Sequence, residues 1–361
     1  MPKRVTFNRR QALGALAGSA AATVMRPNRA DAADENSGRT SLGLVRNCCR
    51  LRRDFVQQSQ PSFDLYEPLN FLAYCRELGA GGMQIELGAD KTQEAKHLRK
   101  IAETSGMYIE AIINPPRNNQ DIQRFDAEMK QAVAAGAKAV RTVIISGRRY
   151  EYFDSLNTFR EFEARGRRSL ELAAPIAEKH RLPLAVENHK DHRNDERVAL
   201  FRHIDSEFVG ACVDTGNSFA LLESPIETVR ALAPWAHSVH LKDQAVQITS
   251  DGFWLGDIPL GQGFLDLESM VKILRHAKPN IHFSLELITR DPIKVPVLTQ
   301  KYWATFPDVP GRDLARTLRT VHESAAEELP YVTSLSPEKQ VEREHTNVRA
   351  SLTWARDHLG L

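Results

Sequence analysis

Four polar residues close four successive apolar runs in the second half of the chain. Glu187 ends Leu184-Ala185-Val186, Asp214 ends Ala211-Cys212-Val213, His240 ends Ser238-Val239 and Glu286 ends Ser284-Leu285. The intervals between them are 27, 26 and 46 residues. The first two each match one strand–helix repeat, and the third matches one repeat plus a long loop. Three carboxylates and one imidazole form a hard, oxygen-rich donor set with room for water or substrate. Such a set suits manganese, magnesium or cobalt better than a closed zinc site. Manganese is the first expectation because it accepts mixed oxygen and nitrogen ligation, with zinc as a further option. Any one of these residues alone reads as a solvated strand end. Charges in a barrel mouth are costly unless paired or coordinated, so the four together point to one divalent ion.

Converging side chains need strands that converge. The pattern predicts strands over Ser41–Val45, Gly82–Leu87, Met107–Asn114, Ala139–Ile145, Leu182–Glu187, Val209–Asp214, His237–Leu241 and Ile281–Leu287. Helical spacing fills the gaps, for example Tyr66–Leu78, Thr92–Ser105, Asp121–Ala135 and Asn157–Lys179, and glycines stop three of these helices. The strand runs are apolar almost throughout, as parallel strands buried on both faces must be. Eight repeats predict an α/β protein, a closed (β/α)8 TIM barrel over residues 41–330, with the active site at the C-terminal ends of its strands. The competing open sheet would carry a Gly-rich fingerprint after its first strand, and none is present. Residues 337–361 read as a terminal helix rich in Glu and Arg, packed on the barrel's outside or at a subunit contact; a homo-oligomer is compatible with this.

Residues 1–32 read as an address. Asn8-Arg9-Arg10-Gln11 precedes a weakly apolar run of small residues to Met25, and Ala30-Asp31-Ala32 has the small-x-small form of a cleavage site. Paired arginines before so mild an apolar run suggest a twin-arginine-type signal and an exported, periplasmic protein. The formal charge is +2, but residues 1–32 hold six basic side chains and one acid, so the remainder is net acidic. That balance argues against nucleic acid as a partner. No other segment is long and apolar enough to span a bilayer. The cysteines Cys48, Cys49, Cys75 and Cys212 form no CxxC pair, and reduced buried thiols are expected.

The motifs Gly82-Met83-Gln84-Ile85-Glu86-Leu87, Val186-Glu187-Asn188-His189, Val213-Asp214-Thr215-Gly216-Asn217, Val239-His240-Leu241-Lys242-Asp243, Pro259-Leu260-Gly261-Gln262-Gly263 and Leu285-Glu286-Leu287-Ile288-Thr289-Arg290 stand in this order. They resemble the xylose isomerase-like barrel superfamily, in particular its sugar phosphate isomerase/epimerase-type proteins. The resemblance implies that Glu187, Asp214, His240 and Glu286 hold one divalent metal, and that Glu187 and Glu286 also serve as acid and base. The implied reaction is isomerisation or epimerisation of a sugar: a proton leaves the carbon beside a metal-polarised carbonyl, and the resulting enediolate is stabilised.

Further residues are candidates for holding the substrate, each with a bland alternative. Glu86 either meets substrate or forms a barrel ion pair. Arg141, inside the fourth strand, demands a carboxylate partner or binds substrate. His189 shares a face with Glu187. Lys242 either holds substrate oxygens or pairs with Asp243. Trp254, beside Phe253 in the expected long loop, either stacks on a sugar or staples the loop. Arg290 binds substrate or holds Asp291. Asn217 stands where several relatives of the resembled family carry His. That substitution argues against the superfamily's multi-zinc endonucleases. Two other readings stay open: a lyase or dehydratase on keto-sugars or keto-glycosides, which begins with the same proton abstraction, and a non-catalytic sugar-binding barrel.

Overall fold

A computed structural model of the chain describes residues 38–361; the expected signal, residues 1–32, lies outside them. Eight parallel strands close into a barrel: β1 (Gly43–Val45), β2 (Gly82–Ile85), β3 (Tyr108–Ile112), β4 (Val140–Thr142), β5 (Leu184–Glu187), β6 (Val209–Asp214), β7 (Ala236–Leu241) and β10 (Phe283–Leu285). β10 lies between β7 and β1 and completes the ring. All eight expected strands are present, most of them shorter than the apolar runs that announced them. Side chains alternate along each strand. Met83, Ile85, Ile109, Ala111, Val186 and Val213 are buried in the main core, while the alternate positions face the barrel interior.

The interior is layered. At its floor the Tyr108 ring fills the barrel, and its hydroxyl accepts from Gly43 N (3.0 Å) and lies 2.6 Å from Phe283 O, to which it donates. Only glycine leaves that ring its place. A Cβ on Gly82 would stand 2.4 Å from Tyr108 Cδ1, and one on Gly43 would stand 2.3 Å from Tyr108 Oη. Gly82→Ala is therefore expected to destabilise the fold by about 1–3 kcal/mol, the usual cost of overpacking. Urea unfolding measures this, and a change within experimental error would show that the ring is not confined.

The interval between His240 and Glu286 holds the expected helix, Leu267–Ala277, but the long loop expected beside it is a folded element. It contains an antiparallel hairpin, β8 (Asp243–Thr249) and β9 (Gly252–Ile258), joined by β11 (Ile293–Val295) into a three-stranded sheet. Gly252 makes the turn possible: its φ is +149°, and a Cβ there would stand 2.3 Å from Val295 O. The sheet shares a second apolar cluster with Phe219, Tyr150, Tyr302 and Phe306. Asp243 begins the hairpin and ties down the glycine turn that follows it, accepting from the N–H groups of Gly261 and Gly263, both at 2.9 Å.

The terminal helix runs Pro337–Leu359 and packs on the barrel's outside through Val348, Leu352, Ala355 and Leu359. Glu344 reaches from it to the start of the helix Arg50–Ser59, accepting from Leu51 N (2.8 Å) and Arg52 N (2.9 Å). A carboxylate on those free amides is the usual remedy for a helix N-terminus. All four cysteines are buried free thiols.

Candidate metal centre

Glu187, Asp214, His240 and Glu286 end strands β5, β6 and β7 and follow β10, and all four are almost wholly buried. Each offers one ligand atom to a group whose members lie within 4.8 Å of one another. An octahedral shell with bonds of roughly 2.1 Å spans about 4.2 Å at most, so small rotations of the side chains close it.

One imidazole nitrogen shows what the cluster is built for. Gln84 Nε2 donates to Glu110 Oε2 (2.8 Å), which fixes the amide and turns Gln84 Oε1 toward His240 Nε2, also at 2.8 Å. An oxygen there requires His240 to donate from Nε2. Nδ1 then faces Glu286 Oε2 at 3.3 Å and Glu187 Oε2 at 3.4 Å and has no hydrogen-bond partner. Burial opposes charge on this ring, but Cys212, Glu286 and Glu187 favour it more and push its pKa well above the ordinary value. The cluster demands positive charge at that point, whether from a ring proton or from a cation. Asp214 Oδ2 is likewise buried and meets only the Lys242 ammonium, at 3.0 Å, and burial lifts this carboxyl to about 6 despite that lysine. A partnerless imidazole nitrogen beside carboxylate oxygens held by charge fits a divalent ion.

The two glutamates are held differently. Arg141 donates Nε and Nη2 to Glu187 Oε2, the first at 2.7 Å, and Asn217 Nδ2 donates to Oε1 at 3.1 Å. Burial raises the Glu187 pKa, but Arg141 together with His240 and His189 more than reverses this. Glu286 is held by charge alone: Lys242 Nζ lies 3.0 Å from its Oε2, and burial is outweighed by Lys242 and His240, leaving the carboxyl well below its usual range. Asp214 Oδ1 accepts from Gly216 N (2.9 Å) and Asn217 N (2.8 Å), which aims its other oxygen at the cluster.

The structure gathers some of the remaining candidates and not others. Arg141 touches Glu187, Asn217 touches Glu187 and Asp214, and Lys242 touches Asp214 and Glu286. Lys242 pairs with Asp214 and Glu286 rather than with Asp243. His189 has a buried, partnerless Nδ1, and burial lowers its pKa to about 4, so it is neutral at physiological pH. Arg290 pairs with Asp257 of β9 at 3.2 Å, while Asp291 instead accepts from Val332 N and Thr333 N. Glu86 is turned outward to Arg46 at 2.7 Å. Trp254 lies on a strand, and its position along β9 puts it on the face opposite Phe253 and Asp257. Three buried residues without an assigned role in the sequence prove central: Gln84, Glu110 and Lys190. Glu110, raised by burial to about 6, also accepts from Ser238 Oγ at 2.8 Å. A polar residue inside the apolar runs Gly82–Ile85 and Tyr108–Ile112 was the available signal for the first two.

A model of the xylose isomerase-like TIM barrel family matches residues 72–306, well over half the chain. The chain belongs to the xylose isomerase-like TIM barrel family. The 3-oxo-isoapionate decarboxylase of Pectobacterium atrosepticum is 29% identical over 119 residues, 32% of this chain and 43% of that enzyme. The chain thus matches less than half the length of that curated relative. D-psicose 3-epimerase, solved in the presence of D-fructose, superposes with a TM-score of 0.53 at 14% identity, covering 83% of this chain and 95% of that one. The 3-keto-D-glucoside 4-epimerase of E. coli gives 0.51 at 12% identity, covering 78% and 100%. Likeness at this identity establishes the shared fold of these xylose isomerase-like barrels. The described residues contain no helix long and apolar enough to cross a membrane.

Proposed function

We propose that the protein is a divalent-metal-dependent isomerase or epimerase of a sugar or keto-sugar, and that manganese is its ion. The observation that carries this reading is the buried group Glu187, Asp214, His240 and Glu286 with His240 Nδ1 aimed between two carboxylates. When bound, the ion supplies Lewis-acid polarisation of the substrate's carbonyl oxygen. Glu286, which lacks the Arg141 and Asn217 clamp that holds Glu187, is the carboxylate able to take the proton from the neighbouring carbon. Glu187 comes from three staves round the ring and is clamped by Arg141 and Asn217; it flanks the other face and returns a proton there. His189, neutral and with a free Nδ1, takes a substrate hydroxyl. The location proposed is the periplasm, on the strength of residues 1–32, where glycoside-derived sugars are the available substrates.

A second reading keeps the same site and lets the bond beside the carbonyl break, as in a lyase. It is supported by the relative that is a decarboxylase of a 3-oxo compound. Incubating the manganese-loaded protein with a panel of keto-sugars in deuterated water separates the readings. Label uptake with a new epimer or isomer is the expected result. Loss of water, alcohol or carbon dioxide selects the lyase, and no label or product from any sugar leaves only a binding protein.

A further inference from the structure

Lys190 is a buried cation without a counter-ion. The residue is 3% exposed, and its ammonium meets one hydrogen-bond acceptor among the described residues, Asn217 Oδ1. Lys242 Nζ donates to that same oxygen at 3.4 Å, so two ammonium groups share one amide carbonyl. The charges that act on Lys190 are Lys242 and Arg290, which repel it, and Asp257 and Asp214, which attract it. Both carboxylates are already engaged. Asp257 is bound by Arg290 at 3.2 Å and Gln244 at 3.1 Å, and Asp214 is paired with Lys242 at 3.0 Å. The side chain is carried on a strained backbone as well: Lys190 has φ +52°, the left-handed region that non-glycine residues rarely adopt. A buried, uncompensated charge on a strained loop is expensive twice over, and folding stability gives no reason to keep it.

The charge balance of the mouth gives the missing partner. Lys190, Lys242, Arg290 and Arg141 match Glu187, Asp214, Glu286 and Asp257 in number, and a divalent ion on the four ligands adds two positive charges. A neutral sugar would leave that excess uncovered in a site cut off from water. We propose that the natural substrate carries a carboxylate, that it is a sugar acid rather than a neutral sugar, and that Lys190 holds this group. The Lys190 ammonium suits a monoanionic carboxylate, whereas a phosphate dianion would have to draw Lys242 and Arg290 off Asp214, Glu286 and Asp257 to complete its donor shell. This inference rests on the reading of the metal centre above and names the substrate class of that same site.

Calorimetry with three probes tests it: D-gluconate, the matched neutral polyol D-glucitol, and glucose 6-phosphate. The expected result is that the protein binds gluconate at least tenfold more tightly than glucitol, and more tightly than the phosphate. The preference persists in chelated protein, which separates the lysine from direct ligation of the ion by carboxylate. In Lys190→Met the gluconate affinity falls at least tenfold while the glucitol affinity does not change and the manganese affinity does not fall; Lys190→Gln, neutral and polar, does the same and stands in should the Met variant misfold. Equal affinity for gluconate and glucitol in the wild type, tighter binding of the phosphate, or an unchanged preference in both variants would each overturn the assignment. Manganese uptake by the wild type keeps the two claims apart. Uptake without an anion preference removes the sugar acid alone, whereas failure to take up any divalent ion removes the metal centre beneath it.

Discussion

Replacing Glu286 with Gln is expected to lower turnover by at least a thousandfold while the barrel stays folded. The amide keeps the shape of the carboxylate and its neighbours Lys242 and His240, but it cannot accept a proton from carbon. General acid–base catalysis by one positioned group contributes about 10²–10⁴ in rate, and a carboxylate lost from the donor set weakens the ion's hold as well. Glu187→Gln tests the partner role and should also abolish turnover, with one added cost. Arg141 is paired to Glu187 in a site with little access to water, and neutralising one member of such a pair leaves an uncompensated charge at roughly 3–5 kcal/mol. Glu286→Gln takes a partner from the buried Lys242 ammonium in the same way, although Asp214 still pairs with that lysine, so both variants should melt below the wild type. Circular dichroism melts and single-turnover assays check both, and near-normal turnover in both variants would refute the acid–base assignment.

The barrel and its four ligands were legible in the sequence for one physical reason. Parallel strands buried on both faces tolerate almost no polar residues, so Glu187, Asp214, His240 and Glu286 stand out at the ends of apolar runs, and their intervals count strand–helix repeats. The hairpin β8–β9 escaped because its length was assigned to a loop, although Val246-Gln247-Ile248-Thr249 alternates and Ser250-Asp251-Gly252 marks a turn. That reading made Trp254 a residue that stacks on a sugar or staples a loop, whereas strand pairing with Gln247 and Lys294 fixes it on the face opposite Phe253 and Asp257. Gln84 and Glu110 were missed because their work is indirect. They lie one layer below the ligands and set the tautomer of His240, whereas Glu86, the acid that looked better placed, lies past the end of β2 and turns out to Arg46. Lys190 is a different case. Sequence shows a lysine in a polar loop, which normally means a solvated one; only the coordinates show that the loop is folded under and that every nearby carboxylate is taken.

Dialysis against a chelator is expected to abolish activity, and manganese to restore it. The same treatment should lower thermal stability, because an ion that binds the folded chain alone adds RT ln(1 + [M]/Kd), about 4 kcal/mol at a thousandfold excess over Kd. The donor atoms are brought together only by the folded barrel: His240 Nδ1 and Asp214 Oδ2 come from adjacent strands in register, with Asp214 beside His240. The unfolded chain has no such group to offer. His240→Ala is the sharper probe of this reasoning. It removes the one nitrogen ligand and frees Gln84 Oε1, and it leaves the Glu187 and Glu286 oxygens facing each other across the gap. Manganese should then neither raise the melting temperature nor rescue turnover. The contrast with Gln84→Leu locates the cause. That variant keeps the imidazole but releases its Nε2 proton from the amide, so manganese should still bind, about 10–100-fold more weakly, the usual cost of losing an outer partner of a metal-bound histidine. Full activity after exhaustive chelation, or a manganese-dependent rise in melting temperature in His240→Ala equal to that of the wild type, would show that the ion is not held by this cluster.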